Sequence, residues 1–198
     1  MDGTVEAGEP VEEETYLELR DFTPVFVHRA RSRDRTDVLT FLRNVTEESI
    51  ELRFCSPMRE EAVTEEVLGL ADPRGRLSLV METVGVLPRI VGTGEYVRYR
   101  GDPARAEVAF LVRDDFQGRG AGTLLLHELA RRARAEGVRR FTAVVMPENV
   151  IMRDVFLHAG YPYSVVRDGP QWLIELDIGE AIPEPVPAVR TRRASSLA

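Results

Sequence analysis

The stretch from Ala106 to Val145 constrains the fold most. It reads as an apolar strand "AEVAFLV" (106–112), a glycine-rich junction "RDDFQGRGAG" (113–122), a helix "TLLLHELARRARAEG" (123–137) and a strand "RRFTAVV" (139–145). Leu125, Leu129 and Ala133 form one helical stripe, with Leu126 and Ala130 beside it, and Gly137 suits the C-terminal cap. Strand, helix and strand make a βαβ unit whose crossover helix begins at the glycines.

The flanking segments place this unit in a larger sheet. A strand is expected over 23–30 and helices over 32–45, 46–54 and 58–71, with Ser32 and Thr46 as N-caps of the first two. "DPRG" (72–75) reads as a turn, and strands follow over 76–83 and 89–99. After the unit come a helix over 148–160 and a hairpin of "YSVVRD" and "QWLIELDI" around "GP". The expected fold class is α/β: one domain over 21–178 with a mixed, mostly antiparallel sheet flanked by helices. A flexible acidic leader (1–20) precedes it, and a Pro-rich, then basic tail (179–198) follows.

Composition narrows the function classes. No apolar run approaches the ~18–20 residues of a membrane span. The acidic N-terminus lacks a secretory h-region, and Cys55 is the only cysteine, so a reducing cytoplasm fits. Net charge is −7; residues 1–20 hold seven acids and one arginine, which leaves the rest near −1. That balance argues against a nucleic-acid binder. All 26 basic residues are arginine.

The glycine run stands where a strand meets a helix N-terminus, whose unpaired N–H groups and partial positive charge favour an anion. A phosphate or pyrophosphate cradle is the functional reading. A P-loop needs a lysine after its last glycine, and this chain has none. A dinucleotide fingerprint fails because Thr123 or Leu125 stands where its third glycine belongs. What is present is V-x-x-x-x-Q-x-x-G-x-G, on Val112, Gln117, Gly120 and Gly122.

This spacing resembles the acyl-CoA signature of the GNAT N-acetyltransferase superfamily, and the element order over about 20–178 is similar to that family's. The resemblance implies a sheet splayed between its fourth and fifth strands, with acetyl-CoA in the wedge. The pyrophosphate would lie on the amides of Gln117, Gly118, Arg119, Gly120, Ala121, Gly122 and Thr123, and the pantetheine arm along the backbone of Phe110, Leu111 and Val112. Asn149, Met152, Phe156, Gly160 and Tyr161 match a second family element, N-x-x-[AM]-x-x-x-[YF]-x-x-x-G-[YF], in which Asn149 would bond the pantetheine. An N-cap role is the alternative for Asn149. "AEVAFLVRDDFQGRGAGTLLL" and "TEESIELRFCSP" further resemble the bacterial protein lysine acetyltransferases that modify acyl-CoA synthetases. Some of those carry a cyclic-nucleotide-binding domain or a synthetase-like region, for which 198 residues leave no room.

Acetyl transfer to an amine needs a base. Glu107 is the candidate: it stands in an apolar strand, where a carboxylate would have a raised pKa, and the resemblance implies the same role for it. Glu95 and Glu82 are runners-up. An exposed strand glutamate or a salt bridge to an arginine is the structural alternative for Glu107. Phe156 replaces the tyrosine that many family members use to protonate the thiolate, so Tyr161, Tyr163 or water would have to serve. The amide near Phe110 would polarise the thioester carbonyl. His28, His127 and His158 have no metal-ligand spacing, so no metal is expected. The arginines at 131, 132, 134, 139 and 140 read as a solvated face. The functional expectation is an acetyl-CoA-dependent N-acetyltransferase acting on a protein lysine, with an acyl-CoA synthetase as the type of partner. A small-amine acetyltransferase and a non-catalytic acyl-CoA sensor stay open, as does an oligomer paired through the final hairpin.

Overall fold

The computed structural model describes residues 13–54, 59–69, 75–181 and 190–193. Nine strands form one sheet in the order β7-β8-β6-β5-β4-β3-β2-β1-β9. The strands are β1 (Glu13–Glu18), β2 (Pro24–Arg29), β3 (Arg76–Thr83), β4 (Ile90–Tyr99), β5 (Asp102–Val112), β6 (Arg140–Val145), β7 (Tyr163–Asp168), β8 (Gln171–Asp177) and β9 (Arg190–Arg193). The helices are α1 (Arg35–Leu42), α2 (Glu47–Phe54), α3 (Glu60–Leu68), α4 (Ala121–Ala135) and α5 (Val150–Leu157). The expected α/β class and mixed sheet are present: every ladder is antiparallel except that between β5 and β6.

Two boundaries differ from expectation. Glu13–Glu18 was expected in the leader and instead pairs with β2. Arg190–Arg193 was expected in the unpacked tail and instead pairs with β1. The alternation of Thr15, Tyr16 and Leu17 is too short to stand out against the surrounding acids, and only the exposed edge of β2 makes it a strand. The 32–45 helix is also shorter than expected. Ser32–Asp34 is a 3-10 turn, closed by the Asp34 carboxylate accepting from the Arg31 N–H at 2.8 Å. Cys55 and most of the 72–75 turn lie outside the described residues.

Two cores sandwich the sheet. On one face α4 and α5 bury Leu125, Leu129 and Phe156 against Leu79, Val108 and Phe110. On the other α1 and α3 bury Phe41 and Val67 against Val80 and Leu111. Alternation along β5 therefore sends Phe110 to one core and Leu111 to the other. No described helix is long and apolar enough to cross a membrane.

The arginines of α4 are not all a solvated face. Arg131 and Arg132 turn onto the buried Glu128 carboxylate, at 2.8 and 2.6 Å, and Thr15 donates to it at 2.8 Å. This cluster fastens β1 to α4. Burial alone would push the Glu128 carboxyl up, but Arg131 and Arg132 outweigh it and hold it below the ordinary carboxylate value. Because the folded-state value is depressed, the stabilisation is complete above the unfolded carboxylate pKa and is lost as pH falls through the folded one. Glu128→Gln should cost about 2–3 kcal/mol in urea unfolding at pH ~7, a value moderated by the exposure of Arg131. The gap to wild type should narrow as pH is lowered toward ~3.

Candidate active site

The site begins where the sheet parts. β5 and β6 pair only at Arg105↔Arg140, Ala106↔Phe141 and Glu107↔Thr142. Beyond Glu107 the two strands have no shared ladder, so Val108–Val112 has a free backbone edge facing away from β4. These are the expected fourth and fifth strands, renumbered because β1 is extra. The gap opens into a cavity of about 660 Å³, walled by the end of β5, by α2, by the glycine loop with the start of α4, and by α5.

The glycine loop forms the mouth. Asp114–Phe116 makes a 3-10 turn, after which Gly118 and Gly120 take left-handed φ values of 73° and 90°. Gly120 is the N-cap of α4, and no side chain caps that terminus. The first-turn amides thus keep their hydrogen-bonding capacity for a ligand. At Gly122 a Cβ would stand 3.3 Å from the Phe110 ring and 3.4 Å from Val155, so the bare backbone is what lets β5, α4 and α5 converge here. Phe110, Leu111, Val112, Gln117, Gly118, Gly120, Ala121, Gly122, Thr123 and Asn149 all line the cavity. Arg119 does not: its guanidinium covers the Phe116 ring at 4.7 Å and pairs with Asp21 at 2.9 Å.

Polar side chains fix the mouth to α2. Asp114 accepts from the Thr46 N–H at 2.9 Å, the Thr46 hydroxyl at 3.1 Å and the Ser49 hydroxyl at 2.7 Å. Burial raises the Asp114 carboxyl, but these donors outweigh it and hold it below the ordinary value. Gln117 Nε2 lies 3.3 Å from the Val112 carbonyl and 3.2 Å from Asp114, joining strand end to loop. Thr46 also caps α2 as expected, accepting from the Ser49 N–H at 3.3 Å. Asn149 takes the capping role that stood as its alternative: its Oδ1 accepts from the Met152 N–H at 3.1 Å. Asn149 is also on the cavity wall, and the nitrogen of its carboxamide is a donor that the cap does not use.

The carboxylates distribute differently from expectation. Glu107 is exposed, at the last β5–β6 pair, and does not line the cavity. The apolar surroundings expected for it are therefore not found, and its strand position matches the exposed alternative. Glu95, a runner-up, is the buried one at 6% exposure. It meets Arg53 of α2 at 2.5 Å and Arg76 at 2.7 Å, and Arg76 in turn pairs with Glu66. Burial pushes the Glu95 carboxyl above its ordinary range against the pull of both arginines. Glu82 is bonded to His28 at 2.9 Å, outside the cavity wall. Phe156 is 1% exposed, with its ring 5.1 Å from that of Phe110. Neither suggested stand-in lines the cavity: the Tyr161 hydroxyl accepts from Arg134 at 3.4 Å, and Tyr163 is exposed on β7.

Residues 42–161 match the model of the acetyltransferase (GNAT) family. The chain belongs to that family. It is 34% identical over 145 residues to Acetyltransferase Pat of Mycolicibacterium smegmatis, covering 73% of this chain and 40% of that protein. The GNAT domain of S. lividans PAT superposes with a TM-score of 0.73 at 32% identity, over 83% of this chain and 96% of that one. A cAMP-binding acyltransferase from Mycobacterium smegmatis superposes at 0.59 with 26% identity, over 85% of this chain and 49% of that one. The chain thus spans less than half the length of the curated relative.

Sequence reasoning missed Asp114, Arg53 and Arg20 at the cavity. Asp114 and Arg53 act through partners 65 and 42 positions away, which no local pattern signals. Asp114→Ala should free the first turn of α2. We expect amide exchange in Glu47–Phe54 to quicken roughly tenfold by mass spectrometry, with α4 exchange unchanged.

Proposed function

We propose that this GNAT chain moves an acetyl group from acetyl-CoA to the side-chain amine of a protein lysine, by direct attack with Glu107 as general base. One observation carries the reading. An uncapped helix N-terminus behind a left-handed glycine turn stands at the mouth of a cavity, and that cavity follows the free edge of β5 over Phe110–Val112, three residues beyond Glu107. Such an edge suits an amide-bearing pantetheine arm, and such a mouth suits its diphosphate.

The chemistry follows from the positions. A lysine amine with pKa ~10.4 costs roughly 4–5 kcal/mol to deprotonate at pH ~7. Glu107 lies about 10 Å along the strand from Phe110, at ~3.3 Å per residue, so a chain of waters would carry the proton. The amine nitrogen bonds to the acetyl carbon, the C–S bond breaks, and the β5 amide near Phe110 would steady the oxyanion. The departing thiolate takes its proton from water, since Phe156 has none to give. The exposure of Glu107 favours a large acceptor: a lysine projecting from a folded protein can reach an open strand face but not the buried Glu95. The relatives named Pat and PAT support the protein acceptor. The chain contains no lysine, so lysine acetylation in an assay would lie wholly on the acceptor.

Thiol release from acetyl-CoA, with acyl-CoA synthetases and small amines as acceptors, tests the reading. Turnover with small amines alone would replace the protein acceptor; no release with any amine would overturn the reading. Glu107→Gln should keep CoA affinity within about twofold and lower kcat at least tenfold. A kcat unchanged in Glu107→Gln would remove Glu107 as base.

A further inference from the structure

The charges on the cavity wall do not suit a diphosphate by themselves. Glu48, Asp114, Glu148 and Asp154 face it, against two arginines, Arg20 and Arg53. Arg53 is occupied: Glu95 holds it at 2.5 Å and its guanidinium lies over the Phe54 ring at 4.5 Å. Arg119, the arginine within the glycine loop, is turned away onto Asp21 and Phe116. A helix N-terminus supplies only about half a unit of positive charge. The diphosphate therefore needs a further cation.

Arg20 is placed to be that cation. It precedes β2, in a turn closed by the Phe22 N–H donating to the Leu19 carbonyl at 2.9 Å. Phe22 holds φ 64°, which an L side chain adopts only when its surroundings compel it. Two ties bind this turn to the glycine loop: the Arg20 N–H donates to the Arg119 carbonyl at 2.9 Å, and Asp21 pairs with Arg119. The Arg20 side chain runs across the bare α-carbon of Gly120, where a Cβ would stand 3.2 Å from its Cγ and 3.3 Å from its Nε. Arg20 is exposed at the cavity mouth and has no ion-pair partner among the described residues.

We propose that Arg20 is the diphosphate-binding side chain of this site, acting with the amides at the start of α4. The inference rests on the acyl-CoA reading and adds to it a residue from outside the βαβ unit. A guanidinium fork can give two charge-assisted hydrogen bonds to neighbouring phosphate oxygens, which an ammonium cannot reproduce. Gly120 then has a second use beyond its turn: it leaves room for the arginine to lie close to the loop.

The test compares wild type with Arg20→Ala and Arg20→Lys. Dissociation constants for CoA and dephospho-CoA are measured by calorimetry, and kcat/KM is measured with acetyl-CoA and with S-acetylpantetheine, which lacks the diphosphate. Arg20→Ala should weaken CoA and dephospho-CoA alike, by roughly 10–30-fold, with Arg20→Lys between it and wild type. The penalty in kcat/KM should shrink to about twofold or less with S-acetylpantetheine. An equal penalty with both donors would make Arg20 a structural residue and overturn the proposal. Weakening confined to CoA would move Arg20 to the 3′-phosphate and overturn it too, as would unweakened CoA binding. Wild-type protein that binds neither CoA nor dephospho-CoA would overturn the acyl-CoA reading itself, a result separable from any behaviour of the variants.

Discussion

The structure depends on where one ladder stops. β5 and β6 share three paired positions and then part after Glu107↔Thr142. A strand inside a sheet has both edges bonded; here Val108–Val112 keeps one edge bonded to β4 and leaves the other open. Unpaired backbone groups are costly to bury without partners, so this opening is stable only if water or a ligand fills it. The cavity is the consequence, and every feature of the site is arranged around that gap.

Both cores hold the gap open. Phe110 and Phe156 pack with tilted rings on the α4–α5 side, and Leu111 is gripped on the α1–α3 side. β5 cannot swing toward β6 without disrupting both. The walls are then joined by charged and polar groups rather than by apolar area. Asp114 ties the loop to α2, and Arg53, Glu95 and Arg76 tie α2 to the sheet. A buried ion pair of this kind contributes little net stability, but breaking it on one side is expensive. It therefore sets position more than it adds stability.

Much of this was legible in the chain. The βαβ unit announces itself because its apolar stripe and its glycines are local and periodic, and excluding the P-loop and dinucleotide spacings needed only residue identities. The residues of that stretch expected to meet acyl-CoA line the cavity, apart from Arg119. Arg119 could not be foreseen to turn away, because its partner Asp21 lies 98 positions earlier. Glu107 was expected in an apolar setting because its strand neighbours are apolar; whether a helix covers a strand face is not written in the strand.

Sequence by itself determined the strand–loop–helix junction, since backbone conformation there follows from the glycines within a few residues. It also determined the family. Only the tertiary structure decided which charges reach the cavity. Arg20 comes from a segment that reads as an acidic leader, and it arrives at Gly120 because β1 and β2 lie on the same sheet as β5. The physical reason is one of range. Propensity and periodicity act over a turn or two, whereas a guanidinium finds its partner through the packing of elements about a hundred positions apart.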